Sequence, residues 1–347
     1  MPNINIRLSA QQFIAVMVGT TLALLGLLTA LPHDRYIRFQ NLVEPAVVKA
    51  TWIYERIHFD PTPIDVVFIG TSHTVFGVND AEIERTCRAA GGQHCASVNF
   101  ALQHLGRNTH WLLAREVLET RKPRLLVIEV TETEPRAMHP AFPYLADASD
   151  IVSAPLVINT SFFNDLVRLP LRNLSLFVQS LAPSQFDVRH GFDLSHYRGA
   201  QWNDTYAELG SYDHPVDPVV PRTTGHTAAE LEYQRSHPQS TERIGVKLPA
   251  VFKQFEYRAT LLYLAKILAL AREKGVEIRF LYLPSFRASS GPAFAKIYRS
   301  SGPLSEMPQD IRNDPNLWSD VDHLNFAGAR RLSEWLGREI AKDAAGK

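Results

Sequence analysis

The sequence has little cysteine and no excess of charge of one sign. Only two cysteines occur in 347 residues, Cys87 and Cys95, which excludes an iron–sulfur protein or a zinc ribbon and leaves at most one disulfide. Lys and Arg total 36 and Asp and Glu total 36. Such a chain has no positive field to hold a polyanion through counterion release, so nucleic acid is not an expected partner. The 45% hydrophobic content is that of a globular protein.

Residues 13–31, FIAVMVGTTLALLGLLTAL, carry no charge. A helix of about 19 residues at 1.5 Å rise nearly crosses a hydrocarbon layer of roughly 30 Å. A secretory signal peptide would have a shorter apolar region and a better cleavage site than Leu28-Thr29-Ala30, and a buried core helix would be apolar all round only if partners surrounded it. The segment therefore predicts an uncleaved single-pass anchor over residues 1–35.

Two features of the sequence give opposite indications about the side of the membrane on which the rest of the chain lies. Arg7 precedes the span, whereas Arg35 and Arg38 come after it, a charge distribution that does not favour export of the globular part. Cys87 and Cys95 flank the Gly-Gly turn of TCRAAGGQHC, where a disulfide and two separate buried thiols both fit the sequence. A disulfide would place the globular part in an oxidising compartment outside the cytoplasm.

Short apolar strands alternate with helices after the anchor. We expect a juxtamembrane amphipathic helix or linker over residues 36–61 and one α/β domain over residues 62–347. Four strands are predicted near residues 65–70, 97–102, 124–130 and 277–284, and helices near residues 80–90, 108–120, 255–274 and 327–342. Strands that are apolar throughout indicate a parallel sheet covered by helices on both faces, the flavodoxin-like three-layer α/β sandwich.

The alternation breaks down over residues 135–249, which we interpret as one long insertion walling a cleft. Residues 161–181 are predicted to be helical, with a kink or split at Pro170. The insertion holds aromatic rings that either pack against sugar faces or pin it to the domain: Tyr197, Trp202, Tyr206, Tyr212 and Tyr233. Its histidines lack H-x-x-x-H spacing, so we expect no metal and no cofactor: His190, His196, His214, His226 and His237.

Two short motifs carry the chemistry. In IGTSHT, Ser72 comes after the first strand, where it either serves as a nucleophile or caps the next helix. In LWSDVDHLNFAGARRL, Asp320 can accept from one nitrogen of His323 and leave the other free to take a proton from a serine. A lone Asp-x-x-His also occurs in solvated loops, and Asp322 competes as the orienting carboxylate.

Together the two motifs resemble those of the SGNH (GDSL) hydrolase family. The resemblance implies Ser72 as nucleophile, His323 as base and Asp320 as its orienting carboxylate. The α/β-hydrolase elbow G-x-S-x-G fits worse, because Thr74 stands at its second Gly.

The same resemblance implies an oxyanion hole made by Ser72, His104 and Thr133, with Gly70 and Asn99 in support. His104 stands where the family has Gly, and its backbone N–H is retained. Thr133 stands where the family has an Asn donor, and the threonine side chain is shorter than that of asparagine.

The anchor, the GTSH block and the insertion resemble those of membrane-tethered cell-surface polysaccharide O-acetyltransferases, such as the alginate O-acetylation and teichoic acid D-alanylation factors. The resemblance implies O-acyl, chiefly O-acetyl, transfer to an exported polysaccharide through an acyl-serine. It also implies a catalytic domain on the periplasmic side of the inner membrane and a multi-span membrane O-acyltransferase as partner. Two alternatives stay open at this point: a membrane-anchored esterase or deacetylase, and a degenerate domain acting as a non-catalytic binding or assembly factor.

Overall fold

A five-stranded, all-parallel sheet forms the centre of the molecule. The structure is a computed structural model that describes residues 9–131, 138–154, 159–202, 226–237, 251–252, 257–288, 291–292 and 294–345. The strands are β1 (Val66–Ile69), β2 (Ser97–Asn99), β3 (Leu125–Glu129), β4 (Glu277–Tyr282) and β5 (Leu304–Glu306). Their order is β2-β1-β3-β4-β5, and every adjacent pair is parallel. This is the flavodoxin-like order, and it confirms the predicted α/β class.

Helices cover both faces of the sheet because its central strands are apolar on both sides. In β1, Val67 and Ile69 belong to one hydrophobic cluster, while Val66 and Phe68 belong to the other. The helices are α1 (Ala10–Thr29), α2 (Arg35–Gln40), α3 (Lys49–His58), α4 (Ser72–Gly77), α5 (Asp80–Ala89), α6 (Arg107–Thr120), α7 (Phe142–Leu145), α8 (Ala148–Val152), α9 (Phe162–Leu181), α10 (Ala228–Ser236), α11 (Arg258–Lys274), α12 (Ala295–Ser301), α13 (Gln309–Arg312) and α14 (Phe326–Ala345). Residues of α3, α6 and α11 fill the first cluster, and residues of α5 and α14 fill the second.

The N-terminal helix α1 is long and apolar enough to cross a membrane. It has 20 residues, and none of them is buried against the rest of the chain. A capping box formed by Ser9 and Gln12 begins the helix, and Ala30 is its C-cap. The anchor therefore stands as a candidate membrane span by length and composition.

The region after the anchor differs from the expected juxtamembrane helix. It forms two helices, α2 and α3, and their apolar side chains are buried in the domain, with Ile37 and Ile53 both at 0% exposure. The buried Glu55 carboxylate accepts a hydrogen bond from the Tyr36 hydroxyl and so ties the two helices together. The apolar face of this amphipathic region packs on the core of the domain.

Helix α9 is continuous from Phe162 to Leu181 with Pro170 inside it, so of the predicted kink or split at Pro170 the split does not occur. Pro170, Leu169 and Leu176 are buried against the domain. Packing along this face holds the helix together despite the backbone hydrogen bond that the proline removes.

Cys87 and Cys95 form a disulfide across the turn after α5. Both cysteines are buried, at 0% and 3% exposure. Gly92 lies against them, where an added Cβ would stand 2.6 Å from the Cys87 Sγ and 3.0 Å from the Cys95 Sγ. Gly92 is therefore required by the close approach of the bridge, whereas Gly91 has a φ of 82°, a left-handed conformation that favours glycine.

Removing this disulfide should lower the stability of the domain. The cysteines are 8 residues apart, and chain-entropy loss in the unfolded state then gives about 2 to 3 kcal/mol of stabilisation for so short a loop. Replacing both cysteines by alanine should lower the free energy of unfolding by that amount in urea titrations. Reduced wild-type protein keeps both sulfurs and serves as the control, which should lose nearly as much. Equal stability of the oxidised and reduced forms would contradict the prediction.

Candidate active site

Ser72 lies at the turn that leaves the carboxyl end of β1. Gly70 and Thr71 make the turn, and Ser72 is the first residue of α4. The Thr71 hydroxyl caps the helix by accepting from the backbone N–H of His73 at 3.3 Å. Strands β2 and β3 flank β1 on opposite sides, and in sheets of this order ligands bind where the connections diverge in this way. The fold therefore presents Ser72 at its usual ligand-binding edge.

The structure brings Ser72, His323 and Asp320 together. The His323 Nε2 lies 2.8 Å from the Ser72 Oγ, although 251 residues separate the two in the chain. The His323 Nδ1 lies 2.9 and 3.0 Å from the two carboxylate oxygens of Asp320. An ionised carboxylate only accepts, so Nδ1 carries the proton and Nε2 accepts from the serine hydroxyl. This arrangement can activate a serine as a nucleophile.

Asp320 is held ionised by donors on its own loop. Burial raises the pKa of its carboxyl. Hydrogen bonds from the His323 ring and from the backbone N–H groups of Asp322 and His323 lower the pKa by more, so the net pKa lies below the usual range. A carboxyl with a lowered folded pKa contributes stability above its unfolded pKa and loses it as the pH falls through the folded pKa. Acidification should therefore loosen this loop.

The neighbouring Asp322 carboxylate makes no hydrogen bond with the His323 ring. It accepts a hydrogen bond from the Ser285 hydroxyl at 2.6 Å, and the Asp322 side chain is exposed. Of the two aspartates that the sequence offered, Asp320 is thus the one positioned to orient the imidazole.

Replacing Asp320 by asparagine should reveal this difference. An amide that donates toward Nδ1 favours the wrong imidazole tautomer. On the hypothesis that Ser72 is the nucleophile in ester cleavage, we expect kcat to fall about 10²- to 10⁴-fold with little change in KM. Asp322→Asn is the matched control and should keep near wild-type kcat. Steady-state kinetics with an activated acetyl ester measures both variants, and an equal loss in the two would contradict the assignment.

Helix α10 of the insertion packs on the loop that carries Asp320 and His323. Gln234 accepts a hydrogen bond from the backbone N–H of Val321 at 2.9 Å, and the His226 Nε2 lies 2.7 Å from the carbonyl oxygen of Ser319. Leu231 is fully buried in the same hydrophobic cluster that Val321 packs against. The insertion therefore supports the loop from its outer side.

Loss of the Gln234 contact should lower activity through the position of the loop. Gln234→Ala leaves the Val321 N–H without its acceptor, and we expect kcat to fall several-fold at unchanged KM. Gln234→Glu keeps an acceptor oxygen and should restore most of the loss. Tyr233→Ala, on the exposed side of the same helix, is the control. Equal kcat in Gln234→Ala and wild type would show that the contact does not position the loop.

Glu129, at the carboxyl end of β3, holds the serine turn and was not among the predicted site residues. Its carboxylate accepts hydrogen bonds from the Thr71 backbone N–H at 2.7 Å, the Thr71 hydroxyl at 2.7 Å and the Thr74 hydroxyl at 2.5 Å. Glu129 is 3% exposed. A charged residue ending the otherwise apolar run LLVIE is the sequence signal that could have pointed to it.

Gly70 is required by the same contacts. A Cβ at this position would lie 2.2 Å from the Thr74 Oγ1 and 2.4 Å from the Glu129 Oε2. Any side chain here would push apart the carboxylate and the threonine that fix the turn. The supporting role expected of Gly70 therefore has a steric basis.

The residues expected in or near the oxyanion hole have different surroundings in the structure. His104 is exposed and has a φ of 74°, a left-handed conformation that favours the glycine of the family pattern. Among the described residues, none accepts a hydrogen bond from the backbone N–H of Ser72 or of His104. Asn99 is buried and donates to the carbonyl oxygens of Thr74 and Val78, which supports α4 from below. Thr133 lies outside the described residues.

The insertion's aromatic rings and histidines are placed in several ways. Tyr197 donates to Asp60 at 2.5 Å and Trp202 packs on Trp52, so these two rings pin the insertion to the domain. Tyr233 is 64% exposed, whereas Tyr206, Tyr212 and His214 lie outside the described residues. Across the described ranges, no group of three or more His, Cys, Asp or Glu side chains is arranged to hold a metal ion.

Comparison with known proteins does not assign the chain to a family. No protein-family model matches it, and no curated protein matches it. The functional interpretation therefore depends on the geometry of Ser72, His323 and Asp320 and on the class of the fold.

Proposed function

We propose that this protein is a serine-dependent O-acyltransferase of the SGNH type, tethered to the inner membrane, that transfers an acyl group, chiefly acetyl, to an exported polysaccharide. The observation that carries the proposal is the 2.8 Å contact between the Ser72 Oγ and the His323 Nε2, with Asp320 behind the ring. The site's place at the carboxyl edge of the sheet agrees with it. The polysaccharide class comes from the sequence resemblance.

In the proposed first half-reaction, the Ser72 Oγ attacks the carbonyl carbon of an acyl donor. The hydroxyl proton passes to the His323 Nε2, and Asp320 stabilises the imidazolium that forms. The oxyanion accepts hydrogen bonds from the backbone N–H groups of Ser72 and His104. Neither of these two groups donates to another of the described residues. Collapse breaks the bond to the leaving group, which takes the proton from His323, and leaves an acyl-Ser72 ester.

In the second half-reaction, a sugar hydroxyl attacks the acyl-serine. Its proton passes to His323, and the Ser72 Oγ regains a proton as the new ester leaves. Water reacts with the same ester unless the acceptor is positioned and solvent is excluded. The insertion is the segment available for that task, since Gln234 of α10 and the preceding His226 contact the loop that carries His323.

The compartment is part of the proposal. The Cys87–Cys95 disulfide and the apolar helix α1 support a domain tethered outside the cytoplasm, in the periplasm. A multi-span membrane O-acyltransferase that supplies the acyl group is the proposed partner.

The full chain in detergent, incubated with an activated acetyl ester and oligosaccharides of several classes, tests transfer against hydrolysis. The proposal expects acetylated oligosaccharide to form faster than free acetate at saturating acceptor. If free acetate forms at the same rate with and without each glycan, the result would favour the esterase alternative. Absence of both reactions in a folded chain would favour a non-catalytic binding or assembly factor.

A further inference from the structure

Helix α9 presents a row of exposed apolar side chains along one face. These residues, named here the α9 stripe, are Phe163, Val167, Leu171, Val178 and Leu181. They are 68%, 73%, 67%, 40% and 70% exposed. Their spacing of three, four or seven residues places them on one side of the helix, over about 27 Å of its length. The opposite face, which includes Leu169 and Leu176, is buried against the domain.

Two hydrogen bonds define where α9 lies relative to the end of α1. The Asn173 side chain donates to the carbonyl oxygen of Thr29, the last residue of α1, at 2.6 Å. Five residues further along the chain, the backbone N–H of Asp34 donates to the Ser180 hydroxyl at 3.0 Å. Both pairs advance in the same direction, so α9 runs beside the end of α1 and continues past it. The first half of α9 therefore lies at the depth where α1 would leave a membrane.

We propose that the part of the α9 stripe that precedes Asn173, namely Phe163, Val167 and Leu171, is seated in the lipid bilayer beside the end of α1. The inference depends on α1 spanning a membrane and is independent of the acyl-transfer chemistry. A bilayer crossed by α1 necessarily lies beside α9, because Asn173 is bonded to the end of the span. An apolar helix face at that depth gains free energy from burial in lipid, as interfacial amphipathic helices do.

The polar residues of α9 agree with an interfacial position. Asn164, Arg168 and Ser175 are exposed along one border of the stripe, where their side chains can reach the head groups. Two membrane contacts, α1 and this part of the α9 stripe, would hold the domain at a fixed tilt.

Site-directed spin labelling of the full chain in phosphatidylcholine–phosphatidylglycerol vesicles tests the proposal. Both native cysteines are bonded to each other, so one introduced cysteine gives one labelled site. Labels at Val167→Cys and Leu171→Cys should collide several-fold more with oxygen than with a water-soluble nickel chelate, relative to a control at Tyr233→Cys. Tyr233 is similarly exposed, at 64%, on α10.

Two results would overturn the proposal. Equal nickel accessibility at the stripe and at Tyr233 would place the stripe in water. Protection from both oxygen and nickel would show that protein, such as a second copy of the chain, covers it.

A second measurement leaves the sequence unchanged. Photoreactive phospholipid should modify the peptide spanning residues 162–181 of the wild-type chain and leave the α10 peptide unmodified. Equal or absent modification of the two peptides would contradict a lipid contact.

Discussion

Replacing Ser72 with alanine should lower kcat/KM for an activated acetyl ester by about 10³-fold or more. Without the hydroxyl there is no oxygen to form the acyl ester, and the remaining groups offer binding and oxyanion contacts alone. His323→Ala should cost nearly as much, because a serine without a base is a weak nucleophile. The double variant should lose little beyond either single one, since residues that act as a unit have non-additive effects.

A nearby serine provides the control for this prediction. Ser285 donates a hydrogen bond to Asp322 on the same loop, whereas the serine hydroxyl bonded to the His323 ring is that of Ser72. Ser285→Ala should therefore keep near wild-type kinetics. Full activity in Ser72→Ala, or an equal loss in Ser285→Ala, would contradict the role assigned to Ser72.

Replacing Glu129 with alanine should damage both the fold and the site. Three buried donors from Thr71 and Thr74 lose their acceptor at once. Each buried donor without a partner costs about 1 to 3 kcal/mol, so we expect a loss of about 3 kcal/mol or more in the free energy of unfolding. Because the serine turn is no longer fixed, kcat should also fall by about 10²-fold in the folded fraction.

Two further variants separate the positioning effect from general destabilisation. Glu129→Gln keeps one acceptor oxygen, and the threonine hydroxyls can rotate, so it should lose less stability and less kcat. Glu273→Ala removes a carboxylate that is 67% exposed near the end of α11 and should leave both quantities nearly unchanged. Chemical denaturation and single-turnover kinetics measure the two effects separately. A kcat for Glu129→Ala equal to that of Glu273→Ala would show that Glu129 does not position Ser72.

The parts of the fold that local pattern determines were predictable. Continuous apolar runs such as VVFI and LLVIE identify buried parallel strands without any knowledge of their partners. Strand β5 was missed because it is only three residues long, Leu304–Glu306, and its central residue is Ser305. A segment that short carries no periodic signal, and the edge of the sheet determines its conformation.

The candidate site was predictable where two short motifs identified its residues, and it was hidden where contacts between distant parts of the chain assemble it. Ser72, Asp320 and His323 belong to two motifs, and the structure brings them within hydrogen-bonding distance of one another. Glu129 acts on the serine turn from 58 residues away, and only the pairing of β1 with β3 places it there. The support of the His323 loop by α10 likewise depends on tertiary packing that no local pattern encodes.

Trapping the acyl intermediate tests the central claim most directly. The full-length protein is mixed briefly with an activated acetyl ester, quenched in acid and digested, and its peptides are mapped by mass spectrometry. We predict one added acetyl group on the peptide containing Ser72, absent in Ser72→Ala and retained for longer when the acceptor glycan is omitted. An unmodified Ser72 peptide under conditions in which the ester is consumed, or acetyl groups on another residue that persist in Ser72→Ala, would contradict it.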